Sequence, residues 1–339
     1  MRFGVCAAAA FLFAALTACA PTIKSPGPTV EAPQIAPDAF TATDGTRLPL
    51  RRWLPEGKPK AVILGLHGFN DYSNAFDDSG TYLRGKGVAT FAYDQRGFGA
   101  SPNTGYWAGT EAYIDDLRAA TTALRAAYPD TPLFVMGESM GGAVAMAAFG
   151  GNNPPPADGT ILLAPAVWGR ETMDITKTVA LWVSVRTVPW MRLSGEGLDI
   201  VPSDNKEMLR KLFRDPLVIK KTRVDAIWGL VNLMDLALEN ARTFGPPSLI
   251  LYGEKDEIIP KGPTKQMLER LPPVPPGTRR VAIYSNGYHM LSRDLEARVV
   301  LDDIAVWVSA HSRGADLPLP SGADKRGWDV LDKPDKKGG

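Results

Sequence analysis

This sequence is short of the residues on which several kinds of site depend. Only two of its 339 residues are cysteines, Cys6 and Cys19, and both lie in the first twenty positions, so the body of the chain can hold no disulfide. Its three histidines, His67, His289 and His311, have no close Cys/His spacing and encode no clustered metal site. An excess of one charge is missing too. The 38 Lys and Arg against 37 Asp and Glu leave a net charge of +1, and nothing in that balance points to a nucleic-acid partner. Gly97 and Gly99, in the stretch 94–101, fall short of the nucleotide-loop pattern G-x-G-x-x-G and open no helix. No cofactor is therefore expected. The apolar run 3–16, which follows Arg2, is too short to cross a bilayer and reads as a secretory signal.

What is present centres on residues 133–149. The apolar run 133–136 suits a buried strand, and the small-residue run 143–149 suits a helix packed tightly on a sheet. Between them lies Gly137-Glu138-Ser139-Met140-Gly141-Gly142. A strand that turns directly into a helix has a cramped backbone, and Gly137 and Gly141 remove bulk two residues either side of the serine. Such a turn lifts the Ser139 hydroxyl clear of the sheet while the helix start aims free N–H groups at the same point. That geometry suits attack on a carbonyl. A glycine-rich turn that only packs a helix on a sheet would carry the same letters, so the rest of the chain must decide.

A serine hydroxyl needs a neighbouring base held in one tautomer. His67 sits in the turn after an early strand, where it is expected to shape the loop, and His311 lies at the end of the last helix. His289 follows the final strand and is the expected base. Asp256 is favoured as the acid that orients it, by its place after the strand 248–252 and by the Gly253-x-x-Asp256 spacing. Glu254 and Glu257 stand beside it as alternatives. The strand 61–66 runs into His67-Gly68-Phe69, the kind of entry that offers the Phe69 backbone N–H as an oxyanion donor beside that of Met140.

Apolar strand runs alternate with helical spacing from about residue 40 to 165 and again from 248 to 310, which predicts a mostly parallel sheet with helices on both faces. Between them, residues 168–243 hold half of the eight tryptophans and no strand-like run, and are expected to form a helical lid over the site. The expected organisation is a signal peptide over 1–18, a Pro-rich tether over 19–38, a core in two parts (39–167 and 244–311) around the lid, and a disordered tail over 312–339.

Two resemblances add to this reading. Leu16-Thr17-Ala18-Cys19 resembles the lipobox of bacterial lipoproteins, which implies cleavage before Cys19 and acylation of that residue. Ala20 in the next position implies sorting to the outer membrane, so the expected localisation is exported and lipid-anchored in the cell envelope. A plain signal peptide cut after Ala18 or Ala20 is the alternative. Second, His67-Gly68-Phe69, Asp94-Gln95-Arg96-Gly97-Phe98-Gly99, Gly137-Glu138-Ser139-Met140-Gly141-Gly142, Asp256 and His289 together resemble the monoacylglycerol lipase and lysophospholipase branch of the α/β-hydrolase superfamily. The chain order Ser139, Asp256, His289 is that superfamily's order.

The resemblance covers about residues 40–309 and implies an α/β-hydrolase fold with a helical lid insertion. It also implies a serine hydrolase of carboxylic esters with an apolar acyl chain, acting on a small lipid-like substrate such as a monoacylglycerol or lysophospholipid. Where that branch has histidine before the serine, this chain has Glu138, which leaves an aminopeptidase-like hydrolase open. An acyltransferase on the same residues and a non-catalytic envelope lipoprotein stay open as well.

Overall fold

The protein is described by a computed structural model over residues 20–197 and 199–333; the expected signal peptide and Cys19 lie outside the described residues. Its centre is a sheet whose strands are short apolar runs buried on both faces. In Ala61–Leu66 (β4), Val62, Leu64 and Leu66 enter one hydrophobic cluster, while Ala61 and Ile63 enter the other. The same two-residue alternation divides Leu133–Glu138 (β6) and Ser248–Gly253 (β10) between the two clusters. Strands of this kind have no wet face, which is why they read as continuous apolar runs.

Nine strands form the sheet, in the order β1-β2-β3-β5-β4-β6-β7-β10-β11. The other six are Gln34–Ile35 (β1), Ala39–Thr41 (β2), Arg47–Trp53 (β3), Val88–Tyr93 (β5), Gly159–Leu163 (β7) and Arg279–Tyr284 (β11). β1 to β3 pair antiparallel with one another and onto β5, and every other pairing is parallel. The helices are Asp77–Gly85 (α1), Thr110–Ala127 (α2), Met140–Phe149 (α3), Ile175–Thr187 (α4), Lys206–Arg214 (α5), Val224–Asn240 (α6), Lys261–Arg270 (α7) and Ala297–His311 (α8). α2, α3 and α6 cover the larger cluster, and α1 and α8 the smaller. Every residue of α3 is buried, which its Gly- and Ala-rich sequence permits by letting it sit between β6, α2 and α6.

The structure differs from the sequence expectation in three places. The insertion between β7 and β10 contains strands as well as helices. Arg192–Ser194 (β8) and Lys221–Arg223 (β9) pair antiparallel, and both are too polar and too short to signal a strand. The Pro-rich stretch expected as a free tether is laid onto the domain. Ile23 bridges Trp107, the Thr22 N–H donates to Asp225 Oδ2 at 3.2 Å, and β1 extends the sheet. Proline fixes this stretch in extended form, and its backbone groups then find partners on the surface.

The expected disordered tail is likewise ordered as far as residue 333. Leu319, Ala323, Val330 and Leu331 are buried, and ion pairs join Arg280 to Asp316 and Asp324, Arg326 to Glu254, and Lys265 to Asp332. A few apolar anchors and several charges exchanged with the core are enough to hold a segment whose composition is that of a disordered chain. Leu331→Ala should therefore cost about 2–5 kcal/mol of stability. Urea denaturation of the variant measures it, and an unchanged midpoint would show that this segment does not pack.

Candidate active site

Ser139 sits at the tip of a turn with no slack. It joins β6 directly to α3 with φ of 52°, a left-handed value that a non-glycine residue adopts only under constraint. The constraint comes from both sides: Ser139 N–H donates to Leu163 O at 2.9 Å, and its carbonyl accepts from Ala143 and Ala166. The glycines are required by contact. A Cβ on Gly141 would lie 2.0 Å from Leu66 O, and one on Gly137 would lie 2.4 Å from Gly141 O. No side chain fits in either place.

The loop after β4 passes alongside. A Cβ on Gly68 would come within 3.4 Å of the Ser139 Cβ, so the chain at Gly68 and Phe69 runs in contact with the serine. His67 braces this loop. Gln95 N–H donates to its Nε2 at 2.9 Å, which leaves the proton on Nδ1, and Nδ1–H donates to Gly68 O at 2.8 Å. Gln95 Nε2 donates in turn to the His67 carbonyl. Burial lowers the His67 pKa, against the pull of the Gly68 carbonyl and nearby carboxylates, and so keeps the ring neutral. As the sequence suggested, His67 shapes the loop. Among the described residues, the backbone N–H groups of Phe69 and Met140 donate to no acceptor, and the Met140 N–H opens α3, where a helix leaves its first donors free.

His289 and Asp256 meet across the ends of β10 and β11. The His289 Nδ1–H donates to Asp256 Oδ2 at 2.8 Å, and Asp256 Oδ1 accepts from the N–H groups of Ile258 and Ile259 at 2.8 and 3.0 Å. The carboxylate is thus fully occupied and fixes the imidazole in one orientation. Burial alone would lower the His289 pKa. The charge and hydrogen bond of Asp256, together with the charge of Glu138, outweigh burial and raise it above the ordinary imidazole value. Of the neighbouring acids, Glu254 pairs with Arg326 and Glu257 accepts from the Val201 N–H, both away from the ring.

Ser139 and His289 line one cavity of about 390 Å³, with Gly68, Phe69 and Ile258. Its far wall is a single helix face: Ile227, Leu230, Val231 and Met234 of α6, at spacing i, i+3, i+4, i+7. Of the four tryptophans in the insertion, Trp168 lines this cavity, whereas Trp182 and Trp190 are about half exposed and Trp228 lies beneath Arg170 and Arg186. Among the described residues, no group of three or more His, Cys, Asp or Glu is placed to hold a metal.

A charged cluster beside the serine had no signal in the sequence. Arg293 is buried and bonded to both Glu138 and Asp71, at 2.7 Å to Asp71 Oδ2, and Ser292 Oγ also donates to Glu138. All three charged residues reach the cavity wall. Glu138, left as a possible site for a substrate amine, is therefore already ion-paired within the protein. Arg293 stands four residues after His289, close enough in sequence to suggest the same loop, but its partners lie 155 and 222 residues away.

Residues 57–296, more than half of the chain, match the family described as serine aminopeptidase, S33. A monoacylglycerol lipase of Mycolicibacterium smegmatis is 24% identical over 275 residues, which span 80% of this chain and 96% of that protein. A monoglyceride lipase of Mus musculus is 28% identical over 283 residues, 82% of this chain and 91% of the other. Among solved structures, a soluble variant of the monoglyceride lipase of Saccharomyces cerevisiae, in complex with a substrate analog, superposes with a TM-score of 0.68. Its sequence is 20% identical, and the match covers 85% of this chain and 98% of that one. The architecture described above is thus the α/β-hydrolase fold.

The charge balance of the site can be tested on stability alone. Arg293→Met leaves two buried carboxylates unpaired and should cost about 3–5 kcal/mol. Chemical denaturation reads the loss, and a change below about 1 kcal/mol would mean that water, not Arg293, balances Glu138 and Asp71.

Proposed function

The chain belongs to the serine aminopeptidase S33 family, and on that premise we propose that it is a serine hydrolase of carboxylic esters with an apolar acyl group, of the monoacylglycerol or lysophospholipid type. The observation that carries this reading is the shared cavity. One end presents a strained serine and a carboxylate-held imidazole, and the other is an apolar helix face suited to an acyl chain. The similarity to proteins named as monoacylglycerol lipases supports the substrate class.

In this mechanism Ser139 Oγ attacks the ester carbonyl while His289 Nε2 takes its proton, and Asp256 holds the imidazolium that forms. The Phe69 and Met140 N–H groups receive the oxyanion. The tetrahedral intermediate collapses as His289 returns the proton to the leaving alkoxide, which departs as the alcohol and leaves an acyl-Ser139 ester. Water, deprotonated by His289, then attacks the acyl carbonyl, and His289 returns the proton to Ser139 Oγ as the bond to the acyl carbon breaks and the fatty acid leaves. The pairing of Glu138 with Arg293 favours an ester over a peptide with a free amine, because among the described residues both carboxylates that line the cavity, Asp71 and Glu138, are bonded to Arg293.

We further propose that the protein is exported and anchored in the envelope, at the outer membrane, through acylated Cys19. Thr22 is bound to the domain surface, so the free link to such an anchor would be only about 10 Å long when extended. The domain would then be held against the membrane that supplies its substrate. Cys19→Ala should move the protein from the membrane fraction to the soluble fraction, as fractionation and immunoblotting would show; a variant still in the membrane fraction would remove the anchor.

Three further outcomes test the chemistry. Ser139→Ala should lower kcat on p-nitrophenyl esters by at least about a thousandfold and abolish fluorophosphonate labelling, and equal labelling of both proteins would exclude Ser139 as nucleophile. Amino-acid p-nitroanilides should remain uncleaved. Because the base must be neutral, kcat/KM should fall as pH drops through the raised His289 pKa. The acid limb should therefore lie above the roughly 6.5 of a free imidazole. A midpoint below that value would mean that Asp256 does not govern the ring.

A further inference from the structure

The loop that carries the Phe69 N–H is held from two sides. On the core side stand the His67–Gln95 brace and the Arg293–Asp71 pair already described. On the other side, among the described residues, the hydrogen bonds of Asn70 are made with the insertion. Ile219 N–H donates to Asn70 O at 2.9 Å, and Asn70 Nδ2 donates to Thr222 Oγ1 at 2.7 Å. Two residues on, Tyr72 OH donates to Asp215 Oδ2 at 2.7 Å. Asn70 itself is left-handed, with φ of 66°, a conformation that asparagine tolerates better than most residues yet does not prefer. The turn closed by Asp71 N–H on Gly68 O at 3.3 Å places it there, and outside that turn its holders are Ile219 and Thr222.

The segment that does the holding is a braced turn. Asp215 Oδ1 accepts from the Leu217 N–H, Asp215 O accepts from Val218 N–H, and the Lys220 ammonium closes the turn on the carbonyls of Asp215 and Val218. A bracket closed in this way moves as one piece. We infer that residues 215–222 of the insertion are a positioning element for the oxyanion loop, acting through Asn70 and Tyr72, so that the Phe69 N–H is aimed at the reacting carbonyl only while the bracket is seated. The inference rests on the serine hydrolase reading and adds to it that the insertion takes part in stabilising the transition state as well as walling the acyl site. A bracket that shifts with the insertion would turn the loop away and leave Ser139 without its second donor.

Thr222→Val tests this without touching the loop, since it keeps the shape of the side chain and its strand preference and removes only the acceptor. Kinetics on p-nitrophenyl butyrate should show kcat reduced about tenfold, with KM within twofold of wild type. Affinity for an alkyl boronic acid, which forms a tetrahedral adduct with the serine, should weaken in the same proportion, and thermal midpoint should stay within a few degrees. Thr222→Ser, which restores the hydroxyl, should recover wild-type kcat. Asn70→Ala should lower kcat similarly, and its combination with Thr222→Val should lower it no further. Unchanged kcat in Thr222→Val, or a failure of Thr222→Ser to differ from it, would overturn the inference alone. Wild-type turnover by Ser139→Ala, run alongside, would overturn the hydrolase reading and this inference together.

Discussion

The structure depends on one close approach. At Gly141 the backbone of α3 comes so near to Leu66 O that a methyl group could not be inserted, and from this contact the position of every reacting group follows. Because α3 starts against the end of β4, the loop that leaves β4 must run across the helix start, which brings Gly68 to Ser139. Because the turn before α3 has no spare residue, the serine is forced into a left-handed conformation that costs of order 1–3 kcal/mol. That strain is sustained by the surrounding apolar packing of α3, all of which is buried. The site is rigid because the core is rigid there.

Around this fixed point the charges are arranged in two hydrogen-bonded groups. Asp256 has its oxygens spent on His289 and on two backbone N–H groups, so that its negative charge acts only through the imidazole. Glu138 and Asp71 are spent on Arg293. Had Glu138 been unpaired, a buried carboxylate next to the serine would have repelled an oxyanion forming in the cavity. Arg293 removes much of that penalty. The residue that departs from the family's usual motif is accommodated by an arginine more than 150 positions away.

That distance explains what could and could not be read beforehand. The serine turn, the Gly253-x-x-Asp256 spacing and the ends of the parallel strands are local patterns, imposed by sterics over a few residues, and each is found where the sequence predicts it. The apolar wall of the cavity was also legible in principle, since Ile227, Leu230, Val231 and Met234 repeat at helical spacing. Arg293 carried no local mark of its partners. The same holds for Asn70, whose contacts lie with Thr222, and for the tail after α8, whose few apolar residues join the two core clusters in a fit that composition cannot reveal. The pKa of His289 falls between these cases. An isolated histidine predicts the ordinary value, and the buried pairing with Asp256, with the charge of Glu138, raises it.

The same packing limits how the site can open. α6 forms this wall of the cavity, yet it also belongs to the core: Val231, Leu233, Met234 and Leu238 are buried, and Asn240 Nδ2 donates to Ala147 O of α3. At about 1.5–3 kcal/mol for each large apolar side chain, lifting α6 would expose on the order of 6–12 kcal/mol of burial, as much as a domain's whole stability. α4 buries only Val185 and α5 buries no residue at all. The lightly buried part of the insertion is therefore α4 and α5, while α6 stays with the sheet. The insertion is thus two structures in one stretch of chain: a fixed wall of the cavity beside Ser139, and a lightly buried outer layer whose contacts with Asn70 and Tyr72 reach the loop beside the serine.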